Sequence, residues 1–139
     1  MSDFIDTTIL VAAIVGSERF HEPCRSLMVK AKSSMYAHGV AETFSTLTGG
    51  GKAFRLTAAA TSQLLEEHFI PLISLTQLSG LEMLRALREA ESRGVRGGAV
   101  FDYLHLVAAR KAKAAKFYTL NISHFRAFHR AGDPEIVHP

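Results

Sequence analysis

The order of secondary-structure patterns along the chain is the feature that most constrains its fold. Short stretches with strand character alternate with longer helical stretches over the whole sequence. The predicted strands are 2–5, 33–38, 70–75, 116–120 and a candidate edge strand at 135–138. Strands that are separated by helices predict an α/β protein, here a three-layer α/β/α sandwich with a mainly parallel central sheet.

Helical patterns fill the intervals between these strands. The predicted helices are 9–15, 22–32, 40–48, 57–68, 80–93, 101–114 and 123–128. Thr7 or Thr8 is suited to cap the first of them. Because the 139 residues contain no evident repeat or linker, we expect a single domain over residues 1–139.

Composition excludes several classes of protein. No apolar stretch approaches the ~20 residues that a membrane span needs. Asp3 and Asp6 occupy the place where a signal peptide would carry basic residues, and the single Cys24 cannot form an internal disulfide. We therefore expect a cytoplasmic protein. The net charge of +3 is compatible with a polyanionic partner but does not demonstrate one.

Polar residues stand where three of the predicted strands end. Asp6 follows the first strand, Glu42 lies just inside the helix after the second, and Asn121 follows the fourth. Ligands of parallel sheets bind in the crevice beyond the carboxyl ends of the strands. These residues are therefore the first candidates for a functional site.

Asp6, Glu42 and Asp102 are carboxylates in apolar surroundings. Asp102 lies in "AVFDYLHLVAA", and its helical spacing predicts that it points toward the core. Each carboxylate has a simple structural explanation, namely pairing with its own basic residue or capping its own helix. If the three converge, their repulsion raises their pKa values unless a cation lies among them. Oxygen ligands of this kind suit Mg²⁺ or Mn²⁺.

Four segments together resemble a known family. They are "FIDTTILVAA", "AETFSTLT", "GGAVFDYLHLVAAR" and "FYTLNISHF". In this order they are similar to the successive motifs of PIN-domain ribonucleases, and in particular of the VapC-type toxins of bacterial toxin–antitoxin pairs. The resemblance implies a PIN-like fold in which Asp6, Glu42 and Asp102 bind the catalytic metal. It also implies a homodimeric endoribonuclease that acts on RNA and is silenced by a cognate antitoxin protein.

The sequence departs from the family pattern at two positions. Thr8 stands where the family often has Asn, and a hydroxyl can still hydrogen-bond a ligand carboxylate. Asn121 stands at the fourth acidic position, and His124 where a further Asp is sometimes found. Because Asn contributes no charge, we expect one ion to be bound firmly and a second only weakly.

Further residues are expected to support hydrolysis of the phosphodiester bond. Thr7, Thr8, Thr119 and Asn121 are predicted to orient the ligands or a water, although a helix cap or a strand position explains each Thr equally well. His105 and His124 are expected to be structural. The predicted RNA-binding residues are Lys52, Arg55, Arg93 and Arg96.

Two alternatives to the RNA-cleaving toxin stay open at this point. A non-catalytic RNA- or protein-binding module could retain the same fold, with Asn121 as a trace of lost activity. A phosphatase-like enzyme or a DNA-directed nuclease could use the same metal. Metal-dependent cleavage of RNA would distinguish the toxin from the binding module.

Overall fold

A parallel sheet organises the protein, for which a computed structural model describes residues 3–30, 32–50 and 55–139. Its strands are β1 (Phe4–Ile5), β2 (Ser33–Tyr36), β3 (Ile73–Thr76), β4 (Lys116–Tyr118) and β5 (Glu135–Val137). They form one five-stranded sheet in the order β3-β2-β1-β4-β5, and every pairing is parallel. The predicted α/β class and the predicted edge strand β5 are confirmed.

Helices connect the strands, as the sequence predicts. They are α1 (Thr7–Ile14), α2 (His21–Lys30), α3 (His38–Thr48), α4 (Ala58–Leu64), α5 (Gly80–Glu89), α6 (Ala99–Lys111) and α7 (Ile122–Phe128). A π-helical turn at Leu65–Phe69 extends α4, and 3₁₀ turns occupy Ile70–Leu72 and Glu91–Arg93. β3 therefore begins later than predicted, because residues 70–72 form the turn that contains Pro71. No helix in the described ranges is long and apolar enough to cross a membrane.

The two faces of the sheet are covered by separate apolar cores. Phe4 and Ile5 are adjacent in β1, so their side chains point to opposite faces. Phe4 packs with Phe117 and with residues of α5, α6 and α7, whereas Ile5 packs with Met35 and with residues of α1 and α2. This arrangement is the predicted three-layer sandwich.

β1 lies at the centre of the sheet and determines where a ligand crevice forms. Ile5 pairs with Met35 of β2 on one side and with Tyr118 of β4 on the other. The chain builds β2 and β3 on one side of β1 before it returns to build β4 and β5 on the other side. The reversal makes the carboxyl ends of β1 and β4 a topological switch point, which is where ligands of such sheets bind.

Candidate functional site

Asp6 begins the site because it is the first residue after β1. It caps α1, a role that the sequence had assigned to Thr7 or Thr8. Its Oδ1 accepts hydrogen bonds from the backbone N–H of Thr8 (3.0 Å) and of Ile9 (3.3 Å), and from the Thr8 hydroxyl. Its Oδ2 accepts from the Thr119 hydroxyl at 2.7 Å. These four donors explain how a carboxylate survives where only 3% of the residue is exposed.

The protonation of Asp6 reflects this burial. Desolvation raises the pKa of Asp6 above its ordinary value and outweighs the lowering effects of the Thr8 hydrogen bond, the His105 charge and the Thr119 hydrogen bond. A raised pKa means that the ionised form is disfavoured in the folded protein. A bound cation would offset this cost of ionisation by attracting the charge of the carboxylate.

Glu42 lies one turn into α3 and is held by two partners. Its Oε1 accepts from the Thr7 hydroxyl at 2.8 Å and lies 2.5 Å from His105 Nε2. Since a carboxylate only accepts, Nε2 carries the proton that His105 donates. Burial acts to raise the pKa of Glu42, but the hydrogen bond and charge of His105, with the Thr7 hydrogen bond, lower it overall. Glu42 is therefore stabilised in its ionised form.

His105 is a component of the site, not a core residue alone. It is buried on α6, and its ring and the Tyr36 ring form a T-shaped pair with a centroid distance of 5.3 Å. Its Nδ1 is buried without a hydrogen-bond partner among the described residues. Gly39 lets α3 pack closely against His105, because a Cβ at position 39 would lie only 3.0 Å from His105 Cε1. The ring is thus fixed with one nitrogen on Glu42.

Asp102 lies in the first turn of α6, where the helix dipole favours a negative charge. Its Oδ2 is 2.6 Å from His124 Nδ1, and its side chain is 33% exposed. The prediction that Asp102 points into the core is therefore wrong. A partly hydrated carboxylate paired with a histidine needs no further partner to be tolerated.

Each of the three carboxylates has its own partners, which are Thr8 and Thr119 for Asp6, His105 for Glu42 and His124 for Asp102. Burial raises the pKa of Asp6, whereas burial of Glu42 is outweighed by the hydrogen bond and charge of His105, which lower the pKa of Glu42. Within the described ranges, no group of three or more His, Cys, Asp and Glu side chains is arranged to hold a metal ion. The donor chemistry nevertheless fits Mg²⁺, which prefers carboxylate oxygens. The contacts with His105 and His124 use one oxygen of each carboxylate, Glu42 Oε1 and Asp102 Oδ2, and the ion would be held through the carboxylate oxygens of Asp6, Glu42 and Asp102.

The threonines connect the carboxylates to two loops. The Thr8 hydroxyl donates to Asp6 and accepts from the Leu120 N–H at 3.0 Å. The Thr119 hydroxyl also donates to Asp6 and accepts from the Asn121 N–H at 2.9 Å. The segments after β1 and β4 are thereby tied together around Asp6. The positions fit the orienting role that the sequence suggests for Thr7, Thr8 and Thr119, and that role stays a prediction.

Asn121 and His124 form a second contact next to Asp102. Asn121 Nδ2 lies 3.1 Å from His124 Nδ1. Sequence reasoning treated His105 and His124 as structural and so missed their contacts with Glu42 and Asp102. Two signals were available: His105 follows Asp102 by about one helical turn, and His124 stands where the resembled family sometimes has a further Asp.

The predicted RNA-binding residues have different environments. Arg55 is exposed, with its Nε donating to the Gly49 carbonyl at 3.2 Å, and Arg96 is exposed in the loop before α6. Lys52 lies outside the described residues. Arg93 has a side chain only 13% exposed and forms an ion pair with Asp133. This is a correction to its predicted RNA contact, because a guanidinium committed to an internal carboxylate is not presented to a phosphate.

Comparison with known proteins identifies similar chains. No protein-family model matches the sequence. Ribonuclease VapC27 of Mycobacterium tuberculosis (strain ATCC 25618 / H37Rv) is 27% identical over 110 residues, which cover 79% of this chain and 78% of that protein. The resemblance proposed from the four sequence segments is thereby confirmed.

Solved structures share the fold. Mycobacterium tuberculosis VapC20, described as a Sarcin-Ricin loop cleaving toxin, has a TM-score of 0.71 at 16% identity and covers 96% of this chain and 100% of its own. VapBC2 from Rickettsia felis, bound to a DNA fragment from its promoter, has a TM-score of 0.68 at 17% identity, with coverage of 100% and 99%. FitAB bound to the IR36 DNA fragment has a TM-score of 0.60 at 16% identity, with coverage of 99% and 94%. At these identities the likeness establishes the fold alone.

Proposed function

We propose that the chain, which is similar to Ribonuclease VapC27 and shares the fold of VapC structures, is an endoribonuclease and the toxin of a type II toxin–antitoxin pair. The assignment is supported by the homology to Ribonuclease VapC27 over 79% of the chain. The structural observation that carries it is the buried Asp6, which four hydrogen-bond donors hold at the switch point of the parallel sheet. We take residues 1–139 as one catalytic domain.

Catalysis in this proposal depends on Mg²⁺, with Mn²⁺ as a substitute, held by Asp6, Glu42 and Asp102. The oxygen donors of the three side chains and the cost of ionising Asp6 support a cation at this place. When bound, the ion would supply charge stabilisation to the phosphoryl oxygens and orient a water.

The chain's own residues have two tasks. The hydroxyls of Thr7, Thr8 and Thr119 fix the orientation of the carboxylates, and His105 holds Glu42. The exposed Arg55 and Arg96, with Lys52, bind phosphates of the RNA in a manner independent of sequence.

The partner of the toxin is proposed to be a cognate antitoxin that covers the site. Support comes from an apolar groove of about 510 Å³ next to α3, the helix that carries Glu42. The groove is lined by Ala37, Val40, Ala41, Phe44, Ser62, Leu65, Glu66 and Ile70. A groove of this kind fits an apolar segment of a second protein better than it fits RNA.

We also propose a homodimer in the cytoplasm. Leu81, Leu84 and Leu87 are exposed along α5, and contiguous exposed apolar side chains mark protein interfaces. Light scattering in solution would measure the oligomeric state, and a monomer at all concentrations would contradict the dimer. The buried and free Cys24, the chain's single cysteine, fits a reducing compartment.

A non-catalytic RNA- or protein-binding module is the second candidate. It is favoured by one observation: Glu42 and Asp102 are each engaged with a histidine, and the described residues contain no metal-ready group. Such a module would bind RNA or its partner equally well with and without a divalent cation.

Incubation of the purified chain with total cellular RNA, and separately with single-stranded DNA, distinguishes the candidates. Parallel reactions contain Mg²⁺, Mn²⁺ or EDTA. The toxin proposal expects RNA cleavage with either ion and none in EDTA. Cleavage of DNA in preference to RNA would favour the DNA-directed nuclease, and binding without cleavage would favour the module.

A further inference from the structure

Phe101 is an exposed aromatic residue that the proposed chemistry does not use. It lies in the first turn of α6, and 54% of the residue is exposed. No other Phe or Tyr among the described residues is exposed, and the sequence contains no Trp. Single exposed apolar side chains are common on protein surfaces. The role of Phe101 therefore has to be judged from its position.

The helix places Phe101 beside the candidate site. Residues three or four positions apart are neighbours on a helix surface, so both Phe101 and Asp102 are neighbours of His105. His105 contacts Glu42, and Asp102 contacts His124. A strand of RNA with a phosphate held at the carboxylates would therefore pass close to the Phe101 ring.

Phe101 lies on a different side of α6 from the contact with α5. The Tyr103 hydroxyl donates to Glu89 of α5 at 2.6 Å, and Arg110 Nη1 donates to the same carboxylate at 3.2 Å. Successive residues of a helix are rotated by about 100°, so Phe101 and Tyr103 point about 160° apart. The Phe101 ring is therefore directed away from α5, whose exposed leucines are the surface proposed for the dimer.

The segment before Phe101 leaves room for a ligand. Side chains of a helix lean toward its N-terminus, which here is the turn that follows Gly97 and Gly98. A Cβ at either glycine would have no atom within 4 Å beyond the adjacent residues. A flat group can therefore approach this turn and the face of the ring together.

An unpaired nucleobase has the chemistry that fits such a ring. Proteins hold single-stranded RNA by stacking its splayed bases on aromatic side chains. Tyr36 and Tyr103 cannot serve in this way, because they are 6% and 0% exposed. Arg96 is exposed in the loop that leads to α6, where its guanidinium is available to a phosphate of the same strand.

A protein partner fits the surroundings of Phe101 less well. A stable protein interface covers roughly 800 Å² on each partner and needs a contiguous surface. Phe101 is preceded by two glycines without side chains, and Ala99 and Val100 beside it are half-buried. The exposed apolar surface here is one ring, which matches one base.

We propose that Phe101 is a stacking platform for one unpaired base of the RNA, close to the nucleotide whose phosphate is held at the carboxylates. Every base has a flat face, so the platform accepts any of the four bases. The inference rests on the proposed ribonuclease function and deepens it by naming a residue that holds the substrate.

Fluorescence of a base analogue tests the platform. The probe is a short oligouridine with 2-aminopurine at one position, because uracil stacks weakly on its neighbours and 2-aminopurine loses fluorescence when it stacks. The chain has no Trp to interfere with this signal. Titrations are made in EDTA, so that binding is measured without cleavage. Phe101→Leu removes the aromatic faces, and Phe101→Tyr keeps them.

Val29→Ala is the matched control for loss of an exposed apolar side chain. Val29 is 68% exposed near the end of α2, four residues before β2 begins. It therefore lies toward the amino ends of the strands, whereas the carboxylates lie at the carboxyl ends.

The wild type should quench the 2-aminopurine on binding. Phe101→Leu should lose the quenching and bind the RNA about five- to tenfold more weakly, at the lower end of the effect of one base stack. Phe101→Tyr and Val29→Ala should match the wild type. The salt dependence of the affinity should stay unchanged in Phe101→Leu, because a neutral ring releases no counterions. Equal quenching and affinity in the wild type and Phe101→Leu would overturn the platform.

Two further measurements separate this inference from the other proposals. Quenching that depends on Phe101, in a protein that cleaves no RNA in Mg²⁺, would support the platform and remove the ribonuclease function. Cleavage in Mg²⁺ with quenching unchanged in Phe101→Leu would do the reverse. Light scattering and antitoxin titration complete the test. Loss of the dimer or of antitoxin binding in Phe101→Leu, with RNA binding unchanged, would assign Phe101 to a protein interface and overturn the platform.

Discussion

Asp6 and Glu42, two carboxylates of the candidate site, have opposite electrostatic environments. Asp6 is surrounded by neutral donors, and burial raises its pKa, whereas His105 and Thr7 lower the pKa of Glu42. A shared cluster of repelling charges would have raised both. The two residues therefore respond differently to neutralisation in the metal-free protein.

Asp6→Asn should raise the melting temperature of the metal-free protein at neutral pH. The pKa of Asp6 is higher in the folded than in the unfolded protein, so at a pH above the folded pKa the ionised side chain destabilises the fold. The Asn amide removes that charge, and Asn remains a good helix cap. As the pH falls through the raised pKa, the wild type protonates and the difference should shrink. Thermal melts in EDTA over a pH series measure it, and a variant less stable than the wild type at neutral pH would contradict the account.

Glu42→Gln should have the opposite effect and lower the stability of the metal-free protein by about 1–3 kcal/mol, because a charge-assisted hydrogen bond with buried His105 is lost. Because the pKa of Glu42 is lower in the folded than in the unfolded protein, ionised Glu42 stabilises the fold. This contribution is present at a pH above the unfolded pKa and is lost as the pH falls through the folded pKa. The loss should therefore be largest at neutral pH. Denaturant titration in EDTA measures it, and a gain in stability would show that His105 does not stabilise the carboxylate.

At the scale of elements, an ion pair outside the candidate site holds two loops together. Arg93 follows α5, and Asp133 precedes β5 with a side chain only 3% exposed. Arg93 Nη1 also donates to the Phe128 carbonyl at the end of α7, at 3.2 Å. The guanidinium thus joins three segments of the fold.

Arg93→Met should destabilise the protein by about 3 kcal/mol, since it leaves the buried Asp133 with the more distant guanidinium of Arg110, whose Nε lies 3.6 Å from Asp133 Oδ1. Arg96→Gln is the matched control, because the exposed Arg96 should affect RNA and not stability. We expect Arg96→Gln to weaken RNA binding across sequences and to reduce the salt dependence of the affinity. Denaturant unfolding and RNA titrations at several salt concentrations measure both. Normal stability in Arg93→Met would remove the structural role assigned to the ion pair.

The groove between α3 and α4 leads to a prediction about the antitoxin. Ser62 is exposed on α4 and lines the groove, whereas the exposed Gln63 beside it does not. Ser62→Arg should weaken binding of the cognate antitoxin at least tenfold by placing a charge on an apolar contact, and Gln63→Arg should not. Calorimetry with the purified antitoxin tests this. Equal affinities for both variants would move the interface elsewhere.

At the scale of the whole molecule, the sequence predicted the layers and the crevice better than the contacts inside it. The alternation of strands and helices was sufficient to predict the parallel sheet. The positions of polar residues after β1 and β2 were sufficient to select Asp6 and Glu42 as candidate site residues. The hydrogen bond from Thr119 to Asp6 joins residues 113 positions apart, and that from His105 to Glu42 joins residues 63 apart. Local patterns contain no information on such pairs.

The exposure of Asp102 and the ion pair of Arg93 were mispredicted for a related reason. An apolar stretch around Asp102 indicated burial, but its first-turn position at the edge of α6 leaves the carboxylate partly hydrated and paired with His124. Arg93 precedes the helix that carries Asp102, which suggested a phosphate contact, and its partner Asp133 is 40 residues away. Contacts between residues distant in the sequence determine the environments of both Asp102 and Arg93.

Cleavage of one defined RNA by the wild type and by Asp102→Asn tests the central claim most directly. The reactions contain Mg²⁺ or EDTA, and the folded state of both proteins is checked by circular dichroism. The account predicts cleavage by the wild type in Mg²⁺, none in EDTA, and a loss of at least 100-fold in Asp102→Asn, on the order of the loss of a metal ligand or its support. Undiminished Mg²⁺-dependent cleavage by Asp102→Asn would contradict the assignment of the three carboxylates as the catalytic site.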